Sequence, residues 1–257
     1  MMTQSIFNLS GQTALITGGG SGIGKIIAEA LAEYGANIAV CSRKVENCVE
    51  TAEYLIAKYG IQAKAYLCNV TSEEEISETV KRVIKEFGQI DILVNNSGAT
   101  WGERVERMPI EAWNKVMNVN VTGTFMMSRA VGVHMLERGY GKIINIGSVA
   151  GIKAEPGDVL NAIGYSTSKA AVHHFTRDLA KKWAEHGIYV NAIAPGFFET
   201  KMTKHVLDKH QREIINRNPL KKLGDPNSLK GTALLLASHA SDYITGQVIV
   251  VDGGSTL

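Results

Sequence analysis

Seven short apolar runs, alternating with stretches of helical periodicity, constrain this chain more than any other feature. Ala14-Leu15-Ile16, Ile38-Ala39-Val40-Cys41 and Ala65-Tyr66-Leu67-Cys68 read as the first three strands. Ile90 to Val94, Lys142 to Ile146, Tyr189 to Ala194 and Val248 to Val251 complete the series. Such runs suit strands buried on both faces, whose parallel neighbours must be joined by helical crossovers. The first helix places Ile23, Ile26, Ile27, Ala30 and Leu31 on one face and stops at Gly35. A second runs from about Lys44 to Tyr59, and Ser72 with Glu75 opens a third as a capping box that Gly88 closes. Ile110 to Leu136 and Tyr165 to about Glu185 are the long helical regions. The expectation is an α/β fold: one doubly wound domain over residues 1–257, about seven parallel strands, helices on both faces.

Composition bounds the rest. At 257 residues and 45% hydrophobic, the chain can bury a sizeable core, and no run approaches the ~20 apolar residues that span a bilayer. Met1-Met2-Thr3-Gln4-Ser5-Ile6 lacks a basic segment followed by an apolar run, so no leader is expected. A net charge of +2 gives no reason to invoke nucleic acid or a membrane surface. The three cysteines show neither metal-ligand spacing nor a disulfide framework, and an odd count suits reduced thiols in a cytoplasm.

Open sheets of this kind bind ligands at the carboxyl ends of their strands, where strand order reverses. Between the first strand and helix lies Thr17-Gly18-Gly19-Gly20-Ser21-Gly22-Ile23-Gly24, with glycines spaced to bring a pyrophosphate against a helix N-terminus. A structural turn is the competing reading. Past the second strand stand Ser42, Arg43 and Lys44, where an acidic residue would mark NAD. A guanidinium grips a 2'-phosphate through charge-assisted bonds and a serine adds a neutral donor, so NADP(H) is the expected cofactor. Solvation of a helix start is the alternative for Arg43 and Lys44. Tyr165-x-x-x-Lys169 follows Ser148 by 17 residues; alone, such a pair is often a surface neighbour contact.

Taken together, these residues resemble the short-chain dehydrogenase/reductase family, with its Rossmann fold, over essentially the whole chain. The match runs through Thr17 to Gly24, Asn95-Asn96-Ser97-Gly98, Ser148, Tyr165 and Lys169, Pro195-Gly196 and Asp252-Gly253-Gly254. The resemblance implies a catalytic set of Asn120, Ser148, Tyr165 and Lys169, with Asn118 the neighbouring alternative to Asn120. It implies cofactor contacts from Gly18, Ser21, Gly22, Ile23 and Gly24, then from Ser42, Arg43, Asn69 and Val70. Asn96, Ser97, Gly98, Tyr165, Lys169, Pro195, Gly196 and Thr200 would complete them, Thr200 meeting the nicotinamide carboxamide. Asn69 stands where the family has an aspartate facing adenine, and keeps an amide oxygen as acceptor.

The chemistry follows from residue types. A tyrosine, pKa near ~10, can give a proton to the alkoxide formed when a ketone takes up hydride. Lys169, one turn away, favours the phenolate in the reverse direction and reaches the ribose; Ser148 can hold the carbonyl oxygen. In the family, Asn120 would anchor a water linking Lys169 to solvent.

Among relatives the chain resembles 3-oxoacyl-thioester reductases and rhamnolipid-pathway members, through Gly98 to Gly102, Ile144 to Gly151 and Ala194 to Gly196. Gluconate 5-dehydrogenases share Lys201 to Lys204 and Gly224-Asp225-Pro226, so sugar acids are the alternative substrates. A non-catalytic dinucleotide-binding regulator is the alternative of another class. An acyl carrier protein would dock on Arg138, Lys181, Lys182 and His186 if these basic groups form a patch. Residues 197–218 are expected as a lid, with Trp101, Phe197, Phe198 and Met202 lining the pocket beside the longer segment Glu155 to Asn161. The pair His173-His174 reads as helix packing, and no metal is expected. An all-round apolar helix from about Ala112 to Leu136 suggests a homotetramer, as does the resemblance.

Overall fold

The computed structural model describes residues 5–157 and 159–257; most of the segment read for a leader, and Asp158, lie outside the described residues. Seven parallel strands form one sheet in the order β3-β2-β1-β4-β5-β6-β7. They are β1 Thr13–Thr17, β2 Asn37–Ser42, β3 Ala63–Leu67, β4 Ile92–Asn95, β5 Gly141–Ile146, β6 Ile188–Pro195 and β7 Val248–Val251. The order reverses between β1 and β4, which lie side by side with Ala14 opposite Ile92 and Ile16 opposite Val94. That crevice is where a doubly wound sheet opens a ligand site.

Alternation along each strand divides the core in two. Ala14 and Ile16, Ile38 and Val40, and Ile92 and Val94 pack under α1 (Gly22–Glu33), α2 (Val45–Tyr59) and α8 (Pro226–Ala237). Leu15, Ala39 and Leu93 face the other way, under α3 (Glu73–Phe87), α5 (Gly123–Arg138) and α6 (Ile163–Trp183). Between the second set and the sheet runs a buried polar chain. Asn95 Nδ2 donates to Ser128 Oγ and to Asn145 Oδ1, both at 2.9 Å, and Asn145 Nδ2 donates to Thr176 Oγ1 at 2.9 Å. Directional bonds of this kind fix the lateral register of α5 and α6 in a way that apolar contacts alone do not.

Several elements differ from expectation for local reasons. The helix foreseen over 110–136 is α4 (Ile110–Met117), a wide turn at Asn118–Thr122, and then α5. The wide turn is a π-bulge, which rotates one residue out of the helical repeat. The fourth strand is Ile92–Asn95, and Asp91 before it still bonds Thr13 and Lys142 through its backbone while its side chain is also engaged. Its Oδ2 accepts the Thr13 N–H at 2.8 Å and its Oδ1 pairs with Arg138 at 2.8 Å. Ser72 caps α3 as expected, accepting the Glu75 N–H at 3.2 Å, but the Glu75 carboxylate reaches the Asn69 N–H rather than completing the box. α7 (Lys204–Arg217) occupies the segment read as a lid, and Asp225 before Pro226 caps α8. The last residues fold back on the chain: the Asp252 carboxylate accepts from Gly254, Ser255 and Thr256.

The switch point leaves no room for a side chain at Gly24, where a Cβ would stand 2.5 Å from the Gly18 oxygen and 2.4 Å from Asn96 Nδ2. Overpacking of this kind costs about 2 kcal/mol. Gly24→Ala should therefore lower the melting temperature by roughly 4 to 8 °C; an unchanged calorimetric transition would contradict this packing.

Candidate active site

One cleft of about 740 Å3 runs across the carboxyl ends of β1 to β6. Its floor at one end is the glycine turn. Thr17 closes β1, and its Oγ1 accepts the backbone N–H groups of Asn96 and Ser97 at 3.0 and 2.9 Å. Asn96 answers with its own amide, donating to the Thr17 and Gly18 carbonyls at 2.9 and 3.1 Å. The turn is thereby tied to the end of β4. Ser21 then precedes α1 with no side-chain cap, and Gly22 adopts a left-handed φ of +53°. The first N–H groups of α1 are free of side-chain acceptors and border the cleft through Gly22 and Ile23. An uncapped helix start on a glycine floor is a donor set suited to a pyrophosphate, so the residues present fit a dinucleotide.

Beyond the pyrophosphate floor lie Ser42, Arg43 and Lys44. Ser42 lines the cleft, and its hydroxyl is also engaged within the loop. Its hydroxyl donates to the Lys44 carbonyl at 2.7 Å and accepts the Lys44 N–H at 3.2 Å, so it shapes the loop. Arg43 is exposed and makes no ion pair or side-chain hydrogen bond among the described residues, which leaves its guanidinium available. Asn69 and Val70 form the opposite wall. Asn69 Oδ1 already accepts from the Thr71 N–H and hydroxyl at 3.2 and 2.9 Å, so the acceptor expected to meet adenine is occupied.

At the other end the remaining groups converge. Tyr165 and Lys169 lie one turn apart on α6, and Lys169 Nζ sits 5.6 Å from the centroid of the Tyr165 ring. Lys169 is buried and donates to the Ile146 carbonyl at 2.7 Å; burial lowers its pKa to about 8. Burial raises the Tyr165 phenol above its ordinary value, and the Ser148 hydroxyl opposes that shift. Ser148 caps a short helical turn, its Oγ accepting the Ala150 N–H at 3.2 Å, which leaves its own proton to donate. A phenol held neutral by burial, beside a hydroxyl donor and a lysine, is a proton source for an oxygen arriving between them.

Asn120 occupies the π-bulge and is 1% exposed, while Asn118 is exposed. It does not border the cleft. Its Oδ1 accepts the Ala99 N–H at 2.7 Å and its Nδ2 donates to the Ala99 carbonyl at 2.9 Å and to Ser168 Oγ at 2.8 Å. Ser168 in turn donates to the Tyr165 carbonyl at 2.7 Å, so Asn120 ties the loop after β4 to the helix bearing Tyr165. Gly24 also stands behind the wall, packed on Gly18 and Asn96.

Every other expected contact residue borders the cleft, including Ser97, Gly98, Pro195, Gly196 and Thr200. The substrate end is walled by Val149, Ala150, Leu160, Phe197, Phe198, Met202 and Val206, with Glu155 and Lys201 the charged groups among them. Trp101 is off this wall and exposed, contrary to expectation. The sequence reading missed Val206, which α7 brings over the cleft, and Asn47, which lies against Gly20; neither belongs to a motif. Nor do the basic groups expected as a docking patch gather at the cleft. Arg138 precedes β5 and is spent on Asp91 and Gln89, and Lys182 pairs with Asp178 at 2.6 Å before β6, at the opposite end of the sheet.

Comparison with known proteins agrees with this architecture. A family profile described as enoyl-(acyl carrier protein) reductase matches residues 18–256. The 3-oxoacyl-[acyl-carrier-protein] reductase FabG of Vibrio cholerae is 39% identical over 247 residues, 96% of this chain and 98% of that protein. The 2-dehydro-3-deoxy-D-gluconate 5-dehydrogenase of Bacillus subtilis is 41% identical over 250 residues, 96% of each. The RhlG/NADP active-site complex of Pseudomonas aeruginosa superposes with a TM-score of 0.91 at 38% identity, covering 99% of this chain and 100% of that one. A seven-stranded parallel sheet, a glycine-floored switch point and the Ser148, Tyr165 and Lys169 cluster, together with these full-length likenesses, mean that the chain belongs to the short-chain dehydrogenase/reductase family of oxidoreductases.

Proposed function

We propose that this protein is an NADP(H)-dependent oxidoreductase that interconverts a ketone and a secondary alcohol, with a 3-oxoacyl thioester as substrate. One observation carries the reading: a single cleft joins an exposed Arg43 and an uncapped α1 at one end to Ser148, Tyr165 and Lys169 at the other. Gly18, Ser21, Gly22 and Ile23 would hold the pyrophosphate, Arg43 the 2'-phosphate, and Asn69 and Val70 the adenine wall. Ser97, Gly98, Pro195, Gly196 and Thr200 would border the nicotinamide half. When bound, the dinucleotide supplies or takes up the hydride. Ser148 donates a hydrogen bond to the substrate oxygen, Tyr165 passes its proton to that oxygen, and Lys169 stabilises the phenolate left behind. Asn120 acts through Ala99 and Ser168, holding the loop and the Tyr165 helix together.

The substrate end favours an acyl chain. Its wall is chiefly apolar, whereas a sugar acid needs hydrogen-bonding partners for each hydroxyl. The gluconate reading is supported by the similarity to the Bacillus subtilis enzyme and to gluconate 5-dehydrogenases, and by Lys201 on the cleft wall. α7 with the residues around it, 197–218, serves as the substrate lid. Three buried free thiols suit a reducing cytoplasm, and no described helix is long and apolar enough to cross a membrane. Phe125 and Val133 on α5 are 46% and 54% exposed, an apolar face that a second copy would cover in a homotetramer.

In a panel of acetoacetyl-coenzyme A, an acyl-carrier-bound 3-oxoacyl thioester, 5-ketogluconate and simple diketones, a thioester should be reduced best with NADPH. Arg43→Ala should then cut the NADPH-to-NADH efficiency ratio about tenfold or more, since charge-assisted phosphate bonds contribute roughly 1.5–3 kcal/mol. An unchanged ratio would remove Arg43 from the phosphate site, and dinucleotide binding without turnover on any ketone would favour a regulator. Tyr165→Phe should lower turnover by ~10²–10⁴-fold while NADPH fluorescence titrations stay near wild type; a tenth of the rate retained would place the proton donor elsewhere. Light scattering at micromolar concentration should give four times 27.8 kDa, and a fully active monomer would contradict the tetramer.

A further inference from the structure

Tyr165, Lys169 and His173 follow one another at four-residue spacing on α6 and so share a face of the helix. The first two are used by the proposed chemistry, and the third is 4% exposed beneath the turn that carries Ser148. His173 Nε2 accepts the Ser148 backbone N–H at 3.4 Å, and the ring packs against Gly151. The turn is built around this ring. A Cβ on Gly147 would lie 2.1 Å from Nε2, and one on Gly151 would lie 3.0 Å from Cε1.

Packing alone does not require an imidazole, since an apolar side chain of similar volume fills such a space without a polar group to satisfy. Burial, then the charges of Lys169 and Arg177, lower the His173 pKa to about 4, so the ring is neutral. With Nε2 accepting, the proton resides on Nδ1. The ring thus bonds one end of the Ser148 to Gly151 turn and packs against the other.

We propose that His173 is a positioning residue for Ser148: by accepting the Ser148 N–H and packing against Gly151 it sets the serine hydroxyl against Tyr165. This rests on the role proposed above for Ser148 and adds a second layer beneath it. Loosening a catalytic group of this kind costs rate through misplacement rather than through lost binding.

The test is a double-mutant cycle on single-turnover NADPH oxidation with the best ketone of the panel. His173→Leu should lower the rate constant about tenfold or more, with the NADPH dissociation constant within twofold of wild type. His173→Asn, which retains a side-chain acceptor, should recover part of the loss and also serves if the leucine variant does not fold. In a Ser148→Ala background the same substitutions should cost little further, because the hydroxyl they position is gone. An equal loss with and without the hydroxyl, or no loss at all, would overturn the positioning role while leaving Ser148 in place. A Ser148→Ala variant at the wild-type rate would overturn the Ser148 assignment itself, and His173 positioning with it.

Discussion

Four hydrogen bonds across the β1–β4 seam hold this molecule's chemistry together. Thr17 Oγ1 receives two backbone N–H groups from Asn96 and Ser97, and the Asn96 amide returns two bonds to the Thr17 and Gly18 carbonyls. Each contributes about 1 kcal/mol net, but removing one partner leaves buried polar groups unsatisfied at about 1–3 kcal/mol apiece. Their larger effect is geometric. They lock the glycine floor, and with it the start of α1, to the loop after β4, whose next residues include Gly98 and Ala99.

From that seam the constraint passes to the proton-handling end through buried polar side chains. Ala99 is clasped by Asn120, Asn120 reaches Ser168, and Ser168 bonds the Tyr165 carbonyl. On the other side, Lys169 and His173 of the same helix bond the Ile146 carbonyl and the Ser148 N–H, fixing the turn after β5. Helix α6 therefore positions the two loops that flank its own tyrosine. The π-bulge in the preceding helical region is what turns Asn120 toward Ala99, which accounts for a departure from regular helix at a buried polar residue.

Much of this was legible in the sequence, and the exceptions share a cause. Strand runs such as Ile38 to Cys41, and the glycine turn, are local signals, so sheet class and floor could be read directly. The π-bulge could not, because the apolar spacing through Val116, Val119 and Met127 is compatible with one continuous helix; only the tertiary bonds of Asn120 break it. Ser42 and Asn69 line the cleft, yet Ser42 Oγ and Asn69 Oδ1 bond neighbouring loop residues, a competition that motif position does not reveal. Arg138 looked like a docking charge until the fold put Asp91 beside it. His173 looked like packing because the residues it meets, Ser148 and Gly151, lie more than twenty residues away in the chain.

The account stands or falls on one cleft serving a phosphate-gripping end and a proton-donating end simultaneously. A crystal structure of the chain grown with NADP+ tests that most directly. The 2'-phosphate should lie against Arg43, the pyrophosphate over Gly22 and Ile23, and the nicotinamide ribose within hydrogen-bond reach of Lys169, leaving space for a ketone between Ser148 and Tyr165. A dinucleotide bound with its nicotinamide away from Tyr165, or with its 2'-phosphate clear of Arg43, would contradict it.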